Sequence, residues 1–223
     1  MLHSSTLSFL KNLKKNNDRS WFEKNRSRYE DARADFDHLV QGLIRVHGKK
    51  DPTIADLEAK NCIFRIYRDV RFSKNKQPYK TGLGCSIDRD GRKSIYAGYY
   101  LRCEPGGKSV MGGGVWMPQP IEVKKIRQEI DYCWPEFSGI INSKKFVKAF
   151  GGLEDDEEIK LVREPKGYEK DNPAIETLKL KSWFATAPLS DADLTSPGLA
   201  PKILSHFVLL QPLLDFINRS IEP

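Results

Sequence analysis

The sequence predicts a single α+β domain, in which a mainly antiparallel sheet with a Tyr- and Gly-rich meander is covered by N-terminal and C-terminal helices. Three observations support this fold class. Apolar residues recur at helical spacing in residues 6–48 and again in residues 201–220. From Cys62 onward the apolar period falls to two, which is typical of strands. A chain of 223 residues with 39% hydrophobic and 10% aromatic residues is long enough to bury one substantial core.

We expect one continuous domain over residues 1–223, with three stretches of different character. Residues 1–60 are helical, residues 61–117 are rich in strands and carry a basic block, and residues 118–223 mix helices with strands. The sequence has no internal repeat and no low-complexity tail. The three stretches are therefore expected to share one core.

Two helices are predicted in the N-terminal stretch. The first covers residues 6–16 and places three leucines on one face. Its N-cap is expected to be a hydroxyl side chain from Ser4, Ser5 or Thr6. The second is one long helix over residues 18–48, because apolar side chains recur there at spacings of seven, three and four. Gly48 is expected to end it.

The first two strands of the meander are predicted from alternation. Leu83, Cys85 and Ile87 alternate with polar or small residues, and a second alternating run covers residues 95–103. A three-residue loop, Arg89-Asp90-Gly91, would place Cys85 opposite Ile95 and keep the apolar faces matched. We therefore expect this loop, with Gly91 at positive φ.

A second tight loop, Pro105-Gly106-Gly107, is predicted to complete the meander and to place Tyr99 opposite Gly113. Residues 112–114 are three successive glycines, each of which gives up side-chain packing within a strand. We expect another group to fill the space above them, either the rings of Tyr99 and Tyr100 or a ligand that approaches the backbone. The triplet is not a nucleotide P-loop, because the following GK[ST] and helix are missing.

The C-terminal stretch is predicted to contain four helices and two strands. The first helix starts at the prolines that follow Trp116. The other three helices cover residues 143–150, 173–180 and 201–220, and Pro212 is expected to kink the last of them. The two strands are expected over residues 158–163 and 182–187.

Charge is distributed unevenly along the chain. The formal net charge is +7, yet residues 1–82 hold 18 Lys and Arg against 10 Asp and Glu, whereas the other 141 residues hold 19 against 20. This distribution indicates a local surface for anions. No apolar run reaches the roughly 18–20 residues needed to cross a bilayer. The N-terminus lacks the pattern of an export signal, so we expect a cytoplasmic protein without a membrane partner.

The sequence carries no recognisable catalytic or metal-binding motif. The four cysteines, which form no CxxC pair, have no histidine at metal-ligand spacing: Cys62, Cys85, Cys103 and Cys133. We expect them to be reduced and buried, and we expect neither a metal nor a cofactor. The GxSxG elbow of serine hydrolases is absent. Whether the chain catalyses a reaction, and its oligomeric state, stay open.

The most informative segment is FRIYRDVRFSKNKQPYKT, residues 64–81, which we call the basic block. Around a single acid, Asp69, it carries six cations: Arg65, Arg68, Arg71, Lys74, Lys76 and Lys80. Like charges this close repel one another unless an anion offsets them. Arginine suits phosphate and carboxylate, because its planar fork makes two parallel hydrogen bonds. The basic block therefore predicts a receptor for an anion.

We expect these cations to form one site with neighbouring aromatic rings, for a phosphorylated, carboxylated or nucleic acid ligand. The candidate binding residues are Arg65, Tyr67, Arg68, Asp69, Arg71, Lys74, Lys80, Tyr99, Tyr100 and Trp116. Asp69 is expected to stay ionised and to orient the arginines beside it. A small ligand would need the arginines to converge in a cleft, whereas nucleic acid would need an open groove.

Two alternatives to a binding site stay open. The first is an enzyme that acts on a small phosphorylated or carboxylated substrate, since cationic positioning carries much of phosphoryl-transfer chemistry. The second is a structural ion network between the basic block and the acids of the long helix: Glu23, Glu30, Asp31 and Asp35.

The basic block also carries a family resemblance. Together with GYYLRCEPGGKSVMGGGVWMPQP and PKGYEKDNPAIETLKLKSW, it resembles an uncharacterised family, the domain of unknown function numbered twenty-four sixty-one. The resemblance covers nearly the whole chain and implies a single-domain soluble protein with no assigned activity. The following residues stand where the family pattern has the same residue: Arg65, Tyr67, Arg68, Asp69, Arg71, Phe72, Ser73, Lys74, Pro78, Tyr79, Lys80, Gly98, Tyr99 and Tyr100.

The chain departs from the family pattern at two positions. Asn75 stands where the family usually has Asp, and Asn172 stands where it usually has His. If either family residue transfers a proton, this chain has lost that group. The departures therefore weaken the case for acid–base catalysis.

Overall fold

The computed structural model describes residues 1–222 and leaves Pro223 outside the described part. Helix makes up about 49% and strand about 14% of the chain, which confirms the predicted α+β class. The described residues form ten α-helices: α1 (Ser4–Lys15), α2 (Arg19–Lys24), α3 (Arg26–His47), α4 (Ala59–Cys62), α5 (Pro120–Tyr132), α6 (Trp134–Ile141), α7 (Lys144–Phe150), α8 (Ile175–Leu178), α9 (Asp191–Leu194) and α10 (Leu199–Ile221). They also form four strands: β1 (Leu83–Ile87), β2 (Gly98–Cys103), β3 (Ser109–Val115) and β4 (Trp183–Leu189).

The four strands form one antiparallel sheet in the order β1-β2-β3-β4. Neighbours in the sheet are thus neighbours in the order of strands along the chain, so the predicted meander is present and β4 extends it. A turn over residues 105–107 joins β2 to β3, as predicted, with positive φ at Gly106 and Gly107.

The chain divides into two compact units. The first comprises Met1–Arg92, Tyr100–Met111 and Pro188–Ser205. The second comprises Lys93–Tyr99, Gly112–Ala187 and His206–Pro223. The expectation of one continuous domain over residues 1–223, whose last residue lies outside the described part, stays a prediction.

In the first unit, α3 contacts α1, α4 and β1. Leu10, Leu13 and Phe36 are fully buried where these helices meet. The predicted single helix over residues 18–48 is wrong, because α2 ends at Lys24 and α3 begins after Asn25. The amide of Asn25 donates to the Trp21 carbonyl at 2.9 Å, and this local side-chain bond competes with the helical pattern.

In this unit the start of α1 differs from prediction, whereas Gly48 ends α3 as predicted. Helix α1 begins at Ser4 and has His3 as its N-cap, without a side-chain bond from a hydroxyl cap. Asp35 of α3 accepts the His3 backbone N–H at 2.8 Å instead, so tertiary structure supplies the cap. Gly48 follows the last residue of α3 with a right-handed φ of −59°. A Cβ at Gly48 would lie 2.8 Å from the Ala55 Cα, so close packing favours glycine there.

The predicted register between the first two strands is wrong. Strand β2 begins at Gly98, and Ile95 lies outside it with 49% of its surface exposed. Ala97 bonds to a side chain instead of a strand, because its N–H donates to Asn218 at 2.7 Å and its carbonyl accepts from the same amide at 3.1 Å. The loop is therefore longer than three residues. The positive φ predicted at Gly91 is confirmed at 81°.

The glycines at residues 112–114 face backbone. A Cβ on the first would clash with the Ala185 carbonyl oxygen, and a Cβ on the last would clash with that of Trp183. A Cβ on the middle glycine would lie 2.7 Å from the Gly98 carbonyl oxygen and 3.1 Å from a Leu210 methyl carbon. Neighbouring strands and α10 therefore fill this space, and the prediction of tyrosine rings or a ligand above the triplet was wrong.

The remaining C-terminal predictions have mixed outcomes. Helix α7 has Ser143 as its N-cap and ends at Gly151 with φ 79°, which confirms the helix over residues 143–150. Strand β4 confirms the strand over residues 182–187, and α10 contains Pro212 as predicted. The strand over residues 158–163 is wrong, because only a 3₁₀ turn and one bridge, Lys160 to Leu180, occur there. Helices α6 and α9 were missed.

In the second unit, α10 supplies much of the core. Leu210 lies over the glycines of β3, and the Phe207 ring stacks on Tyr99 with centroids 4.6 Å apart. Phe216 packs edge-on against Phe137 at 4.9 Å. Within residues 1–222, no helix combines the length and the apolar character that crossing a membrane requires.

Candidate anion site

The basic block folds back on itself in the first unit. The Arg68 N–H donates to the Pro78 carbonyl at 2.8 Å, and the Lys80 N–H donates to the Ile66 carbonyl at 2.8 Å. Tyr67 and Tyr79 form an antiparallel bridge between these two bonds. This arrangement brings Arg68 and Lys80, twelve positions apart in the sequence, onto one short double strand.

The N-terminal helices hold the basic block in place. The Asn17 amide donates to the Tyr79 carbonyl and accepts from the Tyr79 N–H, both at 3.0 Å, as a neighbouring strand would. The Phe22 ring of α2 stacks on Tyr79 with centroids 4.0 Å apart. At the start of the block, the Phe64 N–H donates to the Gly84 carbonyl of β1 at 2.9 Å. These contacts fix the backbone from which the basic side chains project.

A cleft of about 520 Å³ opens beside the block, within the first unit. Four cations line it, three from the basic block and one from β2: Arg65, Arg68, Lys80 and Arg102. Phe64 and Tyr100 supply aromatic walls, with ring centroids 6.4 Å apart and planes tilted by 44°. We call these six residues, with Thr81 and Glu104, the cationic cleft.

In the part of the chain that the structure describes, the three cations from the basic block form no ion pair, although the charge of Arg65 is near enough to Asp69 to contribute to the lowered pKa of that carboxyl. Within residues 1–222, no ion pair joins Arg65, Arg68 or Lys80 to a carboxylate. Arg68 donates to the Gln77 carbonyl and to the Ser73 hydroxyl, each at 3.3 Å. Because these partners are neutral, the positive charge of Arg68 is not offset.

The pKa of Lys80 is lowered in part by the resulting positive potential. Partial removal from water lowers the pKa of its ammonium, and repulsion from Arg65 and Arg102 lowers the pKa further. Its Nζ lies 5.1 Å from the centre of the Phe64 ring, a distance typical of a cation–π contact. A bound anion would relieve this repulsion.

Glu104 is the single carboxylate of the cationic cleft. Its residue is 3% exposed, and its two oxygens accept from the Arg102 guanidinium and, at 2.9 Å, from the Thr81 hydroxyl. Both oxygens are thus engaged. Glu104 holds Arg102 in position and leaves the other three cations uncompensated.

Asp69 lies outside the cationic cleft and pairs with Arg71. Its two oxygens accept from the Arg71 guanidinium at 3.0 and 2.7 Å. These hydrogen bonds lower the pKa of Asp69, and a bond from the Arg71 backbone N–H adds to the effect. The expected ion pair is present with Arg71 but not with Arg68, whose guanidinium donates to Gln77 and Ser73 instead. Lys74 is exposed outside the cleft.

The remaining aromatic candidates are separated. Tyr67 lies 5.4 Å from Tyr79, ring centre to ring centre, outside the cleft lining. Tyr99 is fully buried, because alternation along β2 sends it to the face opposite Tyr100. Trp116 belongs to the second unit, where it is 61% exposed and meets Phe184 edge-on at 6.0 Å. We therefore leave Tyr67, Tyr99 and Trp116 out of the proposed site.

Sequence reasoning missed Arg102, Glu104 and Thr81. The same alternation that predicted β2 contains the signal for the first two. Tyr100, Arg102 and Glu104 are two residues apart, so they project from one face while their neighbours are buried. Thr81 is the last residue of the basic block and carries no such signal.

The acids of the N-terminal helices give no support for the structural ion network. Glu23 pairs with Arg26 at 2.7 Å. Asp35 accepts from the backbone of His3 and, at 2.6 Å, from the hydroxyl of Thr6. These bonds use partners in the N-terminal helical region, outside the basic block.

The cysteines offer no activated nucleophile. All four are free, three are buried, and Cys133 is half-buried. Burial raises the pKa of Cys62 to about 11 and that of Cys103 to about 12, so these thiols stay protonated at neutral pH. Within residues 1–222, no group of three His, Cys, Asp or Glu side chains is placed to hold a metal ion.

The comparisons with known proteins agree with the resemblance carried by the basic block. The model of a family described as conserved hypothetical protein (DUF2461) matches residues 5–216. No curated protein and no solved structure matched the chain. Since the family model spans nearly all of the sequence, the chain belongs to the DUF2461 family.

Proposed function

We propose that the cationic cleft binds a small anionic molecule, most favourably a phosphorylated one. The observation that carries the proposal is the convergence of four cations on one cleft whose single carboxylate is already neutralised. The other three positive charges form no ion pair within residues 1–222. A phosphate can accept charge-assisted hydrogen bonds from several of them at once.

The shape of the cleft favours a small ligand over nucleic acid. Its volume of about 520 Å³ falls within the range typical of small-molecule sites. Arg71, Lys74 and Lys76, which an extended groove would use, do not line it. Phe64 and Tyr100 present flat surfaces next to the cations, which suits a ligand with a planar ring. A phosphate on a planar ring system, at the size of a mononucleotide, combines these features.

Binding is better supported than turnover. Glu104 has both oxygens engaged, which argues against a role as general base. Asn75, which lines the cleft, stands where the family usually has an acid. We therefore propose a binding function and assign no catalytic residue. Free, buried cysteines are typical of reducing compartments, which supports the further proposal of a cytoplasmic location.

Calorimetry at constant ionic strength tests the proposal. The probes are adenosine monophosphate, adenosine and inorganic phosphate. We expect the first to bind more tightly than either of the others, because only it offers both phosphate and ring. Lys80→Ala and Arg65→Ala should each weaken binding about tenfold or more, the effect of one lost hydrogen bond to a charged group.

Lys74→Ala is the matched control, since it removes an exposed lysine of the same block from outside the cleft. It should leave the affinity unchanged. Lys80→Ala should not lower the melting temperature, because the ammonium is repelled by its neighbours. Equal losses from Lys74→Ala and Lys80→Ala would contradict a cleft. If a single-stranded oligonucleotide bound more tightly than adenosine monophosphate, with an affinity that fell steeply with salt, the ligand would be nucleic acid and not a small molecule.

A further inference from the structure

A second cleft, of about 430 Å³, lies within the second unit. The start of α5 forms one side of it and residues 161–168 lie along the other. Four cations line this cleft, and no acid does: Lys124, Arg127, Lys166 and Lys181. Lys124 and Arg127 are three residues apart on α5, so they project from the same helical face. We call this the α5 cleft.

The charge of these four cations is not offset by protein. Within residues 1–222, none of them forms an ion pair with a carboxylate. Asp131, one turn beyond Arg127 on α5, accepts instead from the Asn172 amide at 2.6 Å. The acid best placed along the helix is therefore engaged by a neutral partner.

Arg127 differs from the other three in having a donor that is shielded from solvent. Its terminal Nη2 donates to the Leu180 carbonyl at 3.1 Å. Its Nε is shielded from solvent and has no hydrogen-bond partner among residues 1–222. Burial lowers the pKa of this guanidinium, which shows that its surroundings disfavour the charge. A shielded donor on an uncompensated cation is costly, and an anion in the cleft would offset the charge of this guanidinium.

Apart from the phenol of Tyr168, the rest of the α5 cleft is apolar. Val123 and Leu161 are half-buried in its walls, Pro165 is buried, and Met117 is 50% exposed at its edge. These side chains lie beside the cations within the same cavity. The cleft therefore presents a positively charged region and an apolar region to one ligand.

We propose that the α5 cleft is a separate binding site for an organic anion that carries a phosphate or carboxylate on an apolar body. Arg127, Lys124 and Lys166 bind the charged group, and Val123 and Leu161 contact the apolar body. The site uses residues of the second unit alone and does not depend on the function proposed for the cationic cleft. The ligand differs as well, since the walls of the α5 cleft are mainly aliphatic, with Tyr168 as their aromatic side chain, whereas several aromatic rings line the cationic cleft.

Calorimetry with octyl phosphate, kept below its micellar concentration, tests this site against 1-octanol and inorganic phosphate. Octyl phosphate should bind, and each partial probe should bind at least about tenfold more weakly, because each lacks one half of the recognition. Arg127→Gln should weaken octyl phosphate binding about tenfold or more. Arg127→Lys should restore only part of it, since lysine keeps the charge without the planar fork.

Arg127 is half-buried, so a second variant guards against loss of folding. The double variant Lys124→Ala/Lys166→Ala removes two exposed ammonium groups and should weaken binding by a similar factor. Lys145→Ala, an exposed lysine of α7 outside the cleft, is the matched control and should have no effect. Lys80→Ala should also have no effect, which separates this site from the cationic cleft.

Four outcomes would overturn the inference. If octanol bound as tightly as octyl phosphate, the site would not recognise the anionic group. If inorganic phosphate bound as tightly, the site would not recognise the apolar body. An equal loss with Lys145→Ala would indicate general charge attraction. Finally, sedimentation with phosphatidylglycerol vesicles that depends on Lys124, without binding of monomeric octyl phosphate, would assign these cations to a membrane surface.

Discussion

Asp88, at the end of β1, allows a pH-dependent stability to be worked out from the structure. Its residue is 7% exposed, and one oxygen accepts from the Ser86 hydroxyl at 2.7 Å. Burial raises the pKa of this carboxyl from 3.8 to about 7, and the Ser86 bond offsets only part of the rise. The folded protein therefore holds a proton that the unfolded chain releases between pH 4 and pH 7.

The sign of the effect follows from proton linkage. Between these pH values the folded state binds more protons than the unfolded state, so the free energy of unfolding falls as the pH rises. The rise of this pKa from 3.8 to about 7 corresponds to a loss of about 4 kcal/mol in the free energy of unfolding, which is complete above pH 7. Asp88→Asn keeps the shape, stays neutral at every pH and retains an oxygen that can accept from Ser86.

Urea denaturation of the protein and of Asp88→Asn at pH 5 and pH 8 measures this difference. Between pH 5 and pH 8 the variant should gain about 2–3 kcal/mol of stability relative to the parent, because roughly a third of the loss has already occurred at pH 5. Asp90→Asn, which changes an exposed carboxylate in the same loop, serves as the control and should show no such divergence. If the difference between Asp88→Asn and the parent were the same at both pH values, Asp88 would be ionised in the folded protein and the reasoning would fail.

Two substitutions and one labelling experiment test the packing of the fold. Gly113→Ala puts a Cβ 2.7 Å from the Gly98 carbonyl oxygen and should destabilise the protein by about 1–3 kcal/mol, so an unchanged urea midpoint would contradict the close approach. Asn17→Ala removes both bonds to the Tyr79 backbone and should cost about 2 kcal/mol and weaken anion binding; retained affinity would show that the basic block needs no such clamp. A thiol reagent should label Cys133 first in the folded protein, and equally fast labelling of a second cysteine would contradict the burial of the others.

The sequence predicted most of the helices and all four strands, because one buried face decides most of those elements, but it also predicted a strand over residues 158–163 that does not form. It failed where a distant group replaced the local partner. Asn218 bonds to both backbone groups of Ala97, from which it is 121 residues away in sequence. These two bonds keep β2 from extending back to Ile95. Asp35 caps α1 from a different helix. Neither contact can be predicted from a short window of neighbouring residues in the sequence.

The composition of the candidate site was predictable only in part, for a related reason. The basic block could be recognised in the sequence by its charge density, and Arg65, Arg68 and Lys80 do line the cationic cleft together. Charge density does not show, however, to which side each basic side chain points. Arg71 turns to Asp69 and Lys74 stays outside, because the fold-back of the block divides its cations between two sides.

The cationic cleft arises where two independent patterns of the sequence coincide. Strand β2 buries Leu101 and Cys103, and the same alternation presents Tyr100 and Arg102 on its other face. The basic block lies beside that face because Phe64 bonds to the backbone of β1. Either pattern alone would give an ordinary exposed strand or a solvated charged loop. Together they place Arg102, already neutralised by Glu104, beside three cations that remain uncompensated, and this imbalance is what makes an anion the expected occupant.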